Sequence, residues 1–303
     1  MELKTALEKA AIKTALGFMD KDPEKNLPKL LDWFDAFDRK GTLQKEHNAI
    51  RKVVSDKGNN WYKLIMSLWT DIDPSVRNRL FENFIINGCL LGYQKQKENR
   101  EKYNCNIPWA ILLDPTSACN LKCTGCWAAE YRNHMNLTYE EMSGIVSQGK
   151  ELGTYVYLFT GGEPLVRKKD IIRLCEEHSD CVFSSFTNGT LIDEEFAQEM
   201  LRVKNFVPAI SIEGFEEATD SRRGNGTYQK IIRAMNISKA HKLPFGISCC
   251  YTSLNAEVIG SESYFDQMTH MGAKFAWFFT YMPVGKGAVT ELMATAAQAA
   301  INN

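Results

Sequence analysis

Three cysteines within eight residues are the first chemistry this chain offers: Cys119-x3-Cys123-x2-Cys126, in the run Asp114-Pro115-Thr116-Ser117-Ala118-Cys119-Asn120-Leu121-Lys122-Cys123-Thr124-Gly125-Cys126-Trp127. Three thiolates in one short loop converge on a single centre. Structural zinc takes four protein ligands, commonly as two separated pairs. An electron-carrying ferredoxin cluster also takes four cysteines. The only nearby candidate for a fourth, Cys105, precedes the first expected strand and so falls at its opposite end. Three thiolates without a fourth suit an iron–sulfur cluster with one iron left open to a small chelating molecule. The competing reading is a structural metal site completed by His134. No paired-histidine motif supports a catalytic zinc, since the five histidines (47, 134, 178, 241 and 270) are dispersed.

The elements that position this loop follow from periodicity. From residue 107, short apolar runs alternate with helical stretches. The expected strands are Trp109–Leu113, Tyr155–Thr160, Val182–Thr187, Val207–Ile212, Phe245–Tyr251 and Phe275–Tyr281. Helices are expected over 138–152, 167–178, 193–203, 227–241 and 255–271. Thr138-Tyr139-Glu140-Glu141 is a capping box, Gly153 a stop, and Asp193 an N-cap. Strands alternating with helices imply a parallel sheet with right-handed crossovers, covered on both faces. Periodicity leaves an open sheet and a partial barrel as alternatives. In either, the loops at the carboxyl ends of the strands build the site, and the cysteine triplet follows the first strand directly.

Residues 1–104 have another texture, with apolar residues at helical spacing such as Leu30, Leu31, Phe34 and Phe37. Pro28, Lys57-Gly58-Asn59-Asn60 and Asp71-Ile72-Asp73-Pro74 punctuate them. The run Phe84–Gly92, with Trp61 and Trp69, reads as helix core, with a lipid-facing surface as the alternative.

With the triplet and the strand ends in view, the chain resembles the radical SAM superfamily over about residues 107–287. Cys119, Cys123 and Cys126, followed by the aromatic Trp127, are similar to that family's cluster motif. The resemblance implies that these cysteines hold a [4Fe–4S] cluster. It also implies that Gly161, Gly162 and Glu163, in Thr160-Gly161-Gly162-Glu163-Pro164, meet the amino group of S-adenosylmethionine (SAM). The two glycines are expected to let that ligand approach the backbone. By the same resemblance Asn188, Ser211 and Glu213 face the ribose and methionine parts, with Glu213 standing where many members carry Asp. Arg223, rather than Arg222, is expected to pair with the SAM carboxylate as a bidentate fork. Thr252 and Asn255 after the fifth strand, and Tyr281–Gly285 after the sixth, are similar to further strand-end segments of the family. The fold implied is an α/β partial (β/α)6 TIM-like barrel with an N-terminal all-helical extension.

The organisation expected is a helical region over 1–104, a radical SAM core over 105–287 and a C-terminal helical tail over 288–303. Similar proteins of the SPASM/MoaA-like branch continue into a cysteine-bearing extension. This chain stops soon after its sixth strand, so a truncated extension and a single cluster are expected. The activity implied is reductive cleavage of SAM to a 5′-deoxyadenosyl radical. That radical takes hydrogen from an unknown substrate: a peptide, a lipid or a cofactor precursor. The electron would come from a flavodoxin or ferredoxin. A non-catalytic zinc- or cluster-binding structural protein is the alternative.

The bulk numbers are consistent. The chain has 303 residues and a formal net charge of -1. That balance gives no expectation of nucleic-acid binding. Nothing in it is apolar and long enough to suggest a transmembrane segment, and a cytoplasmic protein is expected. Nine cysteines, an odd number, argue against a disulfide framework. Cys89, Cys175 and Cys181 are expected as small buried hydrophobes. Cys249 and Cys250, adjacent on a strand, are expected to point to opposite faces.

Overall fold

A computed structural model of the chain describes residues 2–37, 44–130, 134–285 and 287–301. Two compact units divide between Asn78 and Arg79. The first holds α1 (Glu2–Met19), α2 (Pro23–Phe37), α3 (Gln44–Ser55), α4 (Asn60–Thr70) and the start of α5 (Pro74–Phe81). Asn59 caps α4, its side chain accepting from Trp61 N at 2.9 Å. Pro28 lies inside α2 rather than ending it. It sits on the exposed side, where the lost N–H leaves a carbonyl to water. Trp61 is exposed, contrary to the expectation of a core residue.

The second unit begins before residue 104. A π-helix over Glu82–Gly92 leads into α6 (Tyr93–Tyr103), and both belong with the strands. The π-helix turns Asn83, Ile86 and Asn87 inward and leaves Cys89 exposed, a correction to its expected burial. Cys175 and Cys181 are fully buried as expected.

Six strands then run parallel in the order β1 (Ala110–Leu113), β2 (Val156–Phe159), β3 (Val182–Thr187), β4 (Phe206–Ser211), β5 (Gly246–Tyr251) and β6 (Ala276–Thr280). Between them come α7 (Tyr139–Leu152), α8 (Lys168–Glu177), α9 (Glu194–Val203), α10 (Glu216–Arg223), α11 (Thr227–Ala240), α12 (Ala256–Ile259) and α13 (Glu262–Met271); α14 (Ala296–Ile301) follows β6. The sheet is a partial barrel. Phe186 of β3 meets Trp277 and Phe279 of β6 edge-on at 5.7 and 5.4 Å, across a concave face, although β4 and β5 separate those strands. On the outer face Tyr157, Phe159 and Phe183 stack beneath the helices. Burying rings and aliphatic chains of this kind contributes about 1.5–3 kcal/mol each.

The capping box is formed: Thr138 Oγ1 accepts from Glu141 N and the Glu141 carboxylate from Thr138 N, while Gly153 ends α7 at φ +100°. The helix expected over 255–271 is two helices, because Gly260 closes α12 and Ser261 caps α13. The helix α10 was not expected at all. Among the described residues, no helix is long and apolar enough to cross a membrane.

At the amino ends of the strands, buried amides close the barrel. Asn83 donates to Ser179 O and Cys181 O at 2.9 and 2.8 Å, Asn87 to Asp180 O at 3.0 Å, and Gln96 to Gly153 O at 2.8 Å. Asn205, fully buried, donates to the carbonyls of Cys175, His178 and Cys181.

Candidate active site at the carboxyl ends of the strands

The cysteine loop leaves β1 and is tied down by its neighbours. Ser117 N donates to Met135 O at 2.8 Å, and Thr116 Oγ1 to Asn136 Oδ1 at 2.5 Å. Thr124 N donates to Arg222 O at 2.8 Å. Asn120 bridges to the loop after β3, accepting from Asn188 Nδ2 and donating to Thr190 Oγ1, both at 2.8 Å. Gly125, at φ +69°, leaves room for Tyr281 and Leu292 of the C-terminal segment, which a Cβ there would meet at 3.0 Å or less. The three thiols lie within electrostatic reach of one another. Burial pushes the Cys119 thiol up, and Cys123 and Cys126 push it further. Burial also raises Cys123, against the pull of Arg223 and Arg222.

Gly161 and Gly162 serve the protein first. A Cβ on Gly161 would stand 2.7 Å from Thr116 O, and one on Gly162 would run into Ser117 O at 2.6 Å and Ala118 O. The backbone these glycines admit is that of the cysteine loop itself, locked by Gly162 N→Thr116 O and Glu163 N→Ala118 O. The two glycines thus have a packing role in the protein itself.

Glu163 is buried, and its carboxylate is fully engaged. Oε1 accepts from Leu165 N at 3.0 Å and Thr187 Oγ1 at 2.6 Å, and Oε2 from Asn188 N at 2.7 Å. Burial pushes its pKa up, against those hydrogen bonds. It links the loop after β2 to the end of β3. Asn188 is buried, and its side-chain oxygen accepts from Thr190. Ser211 is half-buried at the end of β4, between the fully buried Ile210 and Ile212.

Glu213, with no exposure, anchors two arginines. Its Oε1 accepts from Arg223 Nε at 2.9 Å and Nη2 at 2.5 Å and from Arg222 Nη1, while Oε2 accepts from Cys250 N at 3.0 Å. Burial opposes ionisation, but Arg223 and Arg222 hold the Glu213 pKa below the usual carboxylate value. Asn255 Nδ2 secures the same strand end by donating to Glu213 O at 2.9 Å. Arg223 thus spends two donors inside the protein. Arg222 Nε is buried and has no hydrogen-bond partner. Cys249 points outward to Tyr264 Oη at 2.9 Å, while the Cys250 thiol lies beside Arg222, on the opposite face as expected.

Sequence reasoning missed Asn120 and Thr187 as parts of this site, and it chose Arg223 over Arg222 where the structure brings both to Glu213. Asn120 had a signal, its place between two candidate ligands. Thr187 had none, because its partner is 24 positions away.

His134 is exposed. Among the described residues, no three His, Cys, Asp or Glu side chains are placed to share one metal ion. Thiols that each bind a different iron of a cubane stand further apart than thiols sharing one ion. Three thiols in electrostatic reach, with an unpartnered arginine donor next to them, fit an anionic iron–sulfur group.

Residues 113–257 match the model of the Radical SAM superfamily. Over these residues, just under half of its length, the chain is similar to the radical SAM superfamily. Its curated relatives include the Fe-coproporphyrin III synthase of Methanosarcina barkeri, 29% identical over 186 residues, covering 58% of this chain and 45% of the relative. The cysteine-type anaerobic sulfatase-maturating enzyme of Clostridium perfringens is 31% identical over 170 residues, covering 49% of this chain and 46% of the relative. This chain therefore spans less than half the length of either. Among solved structures, native anSMEcpe with bound AdoMet and Kp18Cys peptide is similar at TM-score 0.54 and 25% identity, covering 63% of this chain and 57% of that one. Streptococcus suis SuiB bound to S-adenosylmethionine shares the fold at TM-score 0.58 and 21% identity, covering 70% of this chain and 50% of that one.

Proposed function

We propose that the chain is a radical SAM enzyme whose [4Fe–4S] cluster is held by Cys119, Cys123 and Cys126. One observation carries the reading: three cysteines in one loop at the carboxyl edge of a six-stranded parallel sheet, inside the family match. When bound, a cluster of this kind supplies one electron to the sulfonium of SAM, whose bond to C5′ breaks to give the 5′-deoxyadenosyl radical. The chain's own residues bind and orient. Gly161, Gly162 and Glu163 shape the rim that would receive the SAM amino group. Asn188 and Ser211 offer polar groups toward the sugar. Arg223, oriented by its ion pair with Glu213, would face the carboxylate. Phe186, Trp277 and Phe279 line the concave face and help exclude water.

A flavodoxin or ferredoxin is the reductant class we favour, and a reducing cytoplasm the setting. For substrate we favour a peptide side chain. A structurally similar protein, anSMEcpe, is named with a bound peptide. Anaerobic reconstitution tests the reading. A brown protein with about four irons and four sulfides per chain is expected, together with dithionite-dependent release of 5′-deoxyadenosine. Replacing Cys119, Cys123 and Cys126 together with Ala should abolish both. A colourless protein holding one zinc, or a triple variant that keeps either property, sinks the proposal. Deuterium transfer from labelled peptides into deoxyadenosine tests the substrate class.

A further inference from the structure

Two arginines and one carboxylate share a buried site beside the cysteine loop. Glu213 has no solvent exposure, and the side chains of Arg222 and Arg223 are 14% and 12% exposed. Within the hydrogen-bonded group one carboxylate faces two guanidiniums, and the buried Glu163 carboxylate acts on Arg223 without a hydrogen bond, which leaves Arg222 the less compensated cation. Such a cation is costly unless an anion joins it. The orphan donor says where the anion belongs. Arg222 Nε is buried without a partner, while the rest of the fork meets Glu213 and the Cys250 thiol. The backbone brings the two segments together: Arg222 O accepts from Thr124 N at 2.8 Å, joining the end of α10 to the residue after Cys123. The electrostatic neighbours of Cys123 include Arg223 and Arg222 and, opposing them, Glu213.

Resting on the cluster reading above, we propose that Arg222 is a positioning residue that tunes the cluster, its charge raising the reduction potential from the Cys123 side. Adding an electron makes the centre more negative, and a fixed cation nearby stabilises that state more than the oxidised one. Glu213 acts with opposite sign. It orients both guanidiniums and offsets part of their charge. A member of the family that placed a shorter Asp here would not reach both arginines in the same way. The lengthened side chain at Glu213 is what allows one carboxylate to bind the pair and also accept from Cys250 N.

The test is an anaerobic potentiometric titration of the reconstituted full chain without SAM, read by visible absorbance. At the wild-type midpoint, Arg222→Gln should show a reduced-to-oxidised ratio lower by about tenfold, a shift of about 59 mV to the negative for one electron. Arg222→Lys, which keeps the charge and loses the fork, should shift much less. Glu213→Gln should move the potential the other way. A merely structural role would lower iron uptake in all three without this pattern of signs. An unmoved midpoint in Arg222→Gln, equal shifts in the Gln and Lys variants, or one common sign overturns the inference. Should Arg222→Gln fail to take up iron, the sign in Glu213→Gln and the size of the shift in Arg222→Lys decide it. A wild-type chain that takes up no iron brings down the cluster reading and this inference with it. A wild-type cluster whose potential ignores Arg222 brings down only the inference.

Discussion

The two ends of the same sheet are finished in opposite ways. At the amino ends, neutral amides from Asn83, Asn87, Gln96 and Asn205 donate to the backbone carbonyls of the turns that lead into the strands. Among the described residues, the buried atom of these four amides that lacks a partner is Asn205 Oδ1, a neutral acceptor and not a charge. At the carboxyl ends, buried carboxylates and arginines stand beside a cysteine loop whose thiols are half-buried to exposed, with one arginine donor unmatched. The first arrangement is a seal and the second a receptacle. Stability and chemistry are thereby assigned to different ends, so substitutions at each should be separable by what they break.

The largest effect is expected at the receptacle. In Gly162→Ala the new methyl meets backbone oxygens of the cysteine loop. Iron uptake on reconstitution should fall on the order of tenfold, while urea unfolding of the metal-free chain changes far less. At the seal the pattern reverses. Asn205→Ala removes three hydrogen bonds at about 1 kcal/mol each and should cost about 3 kcal/mol in urea denaturation, with iron per folded chain unchanged. A variant that altered both readouts equally would erase the distinction between the ends.

A pH effect sharpens it. His178 sits at the sealed end, its Nε2 3.0 Å from Ser143 Oγ. Burial holds its pKa below the ordinary 6.5, with Lys150 adding to the effect and Glu177 and Asp180 opposing it. The unfolded chain binds the proton more readily. This contribution is therefore fully present above pH 6.5 and is lost as pH falls through the lower folded value. His178→Gln should flatten that part of a stability–pH curve, and an unchanged slope would contradict the account. The smallest effect belongs to the capping box. Thr138→Ala should cost about 1 kcal/mol by thermal or urea unfolding, although it lies at the receptacle end, and should leave iron uptake intact.

Much of this was legible in linear form. All six strands and the capping of α7 follow from local pattern, because alternation, apolar runs and a Thr-x-x-Glu box are short-range signals. α10 was invisible because Glu216–Arg223 has no apolar stripe. Asp220, whose carboxylate accepts from Gly226 N and Tyr228 N, fastens its end instead. Cys89 was misjudged because a π-helix changes which positions face inward. The strand-end residues were found by motif, but the partners of Glu163 and Glu213 were not. Their donors lie 24, 25 and 37 positions away for Thr187, Asn188 and Cys250. No local rule reads such pairings.

Asn120 stands between two of the candidate ligands, and its amide grips Asn188 and Thr190 without involving any sulfur. The loop therefore keeps its shape by bonds that air does not attack. On the cluster reading proposed above, loss of the metal to oxygen would leave those bonds, and with them the frame of the loop, in place. Refilling it asks only for fresh iron, sulfide and reduced thiols, not for refolding. In a cell that meets oxygen intermittently, such a protein would be mended where it stands instead of being replaced.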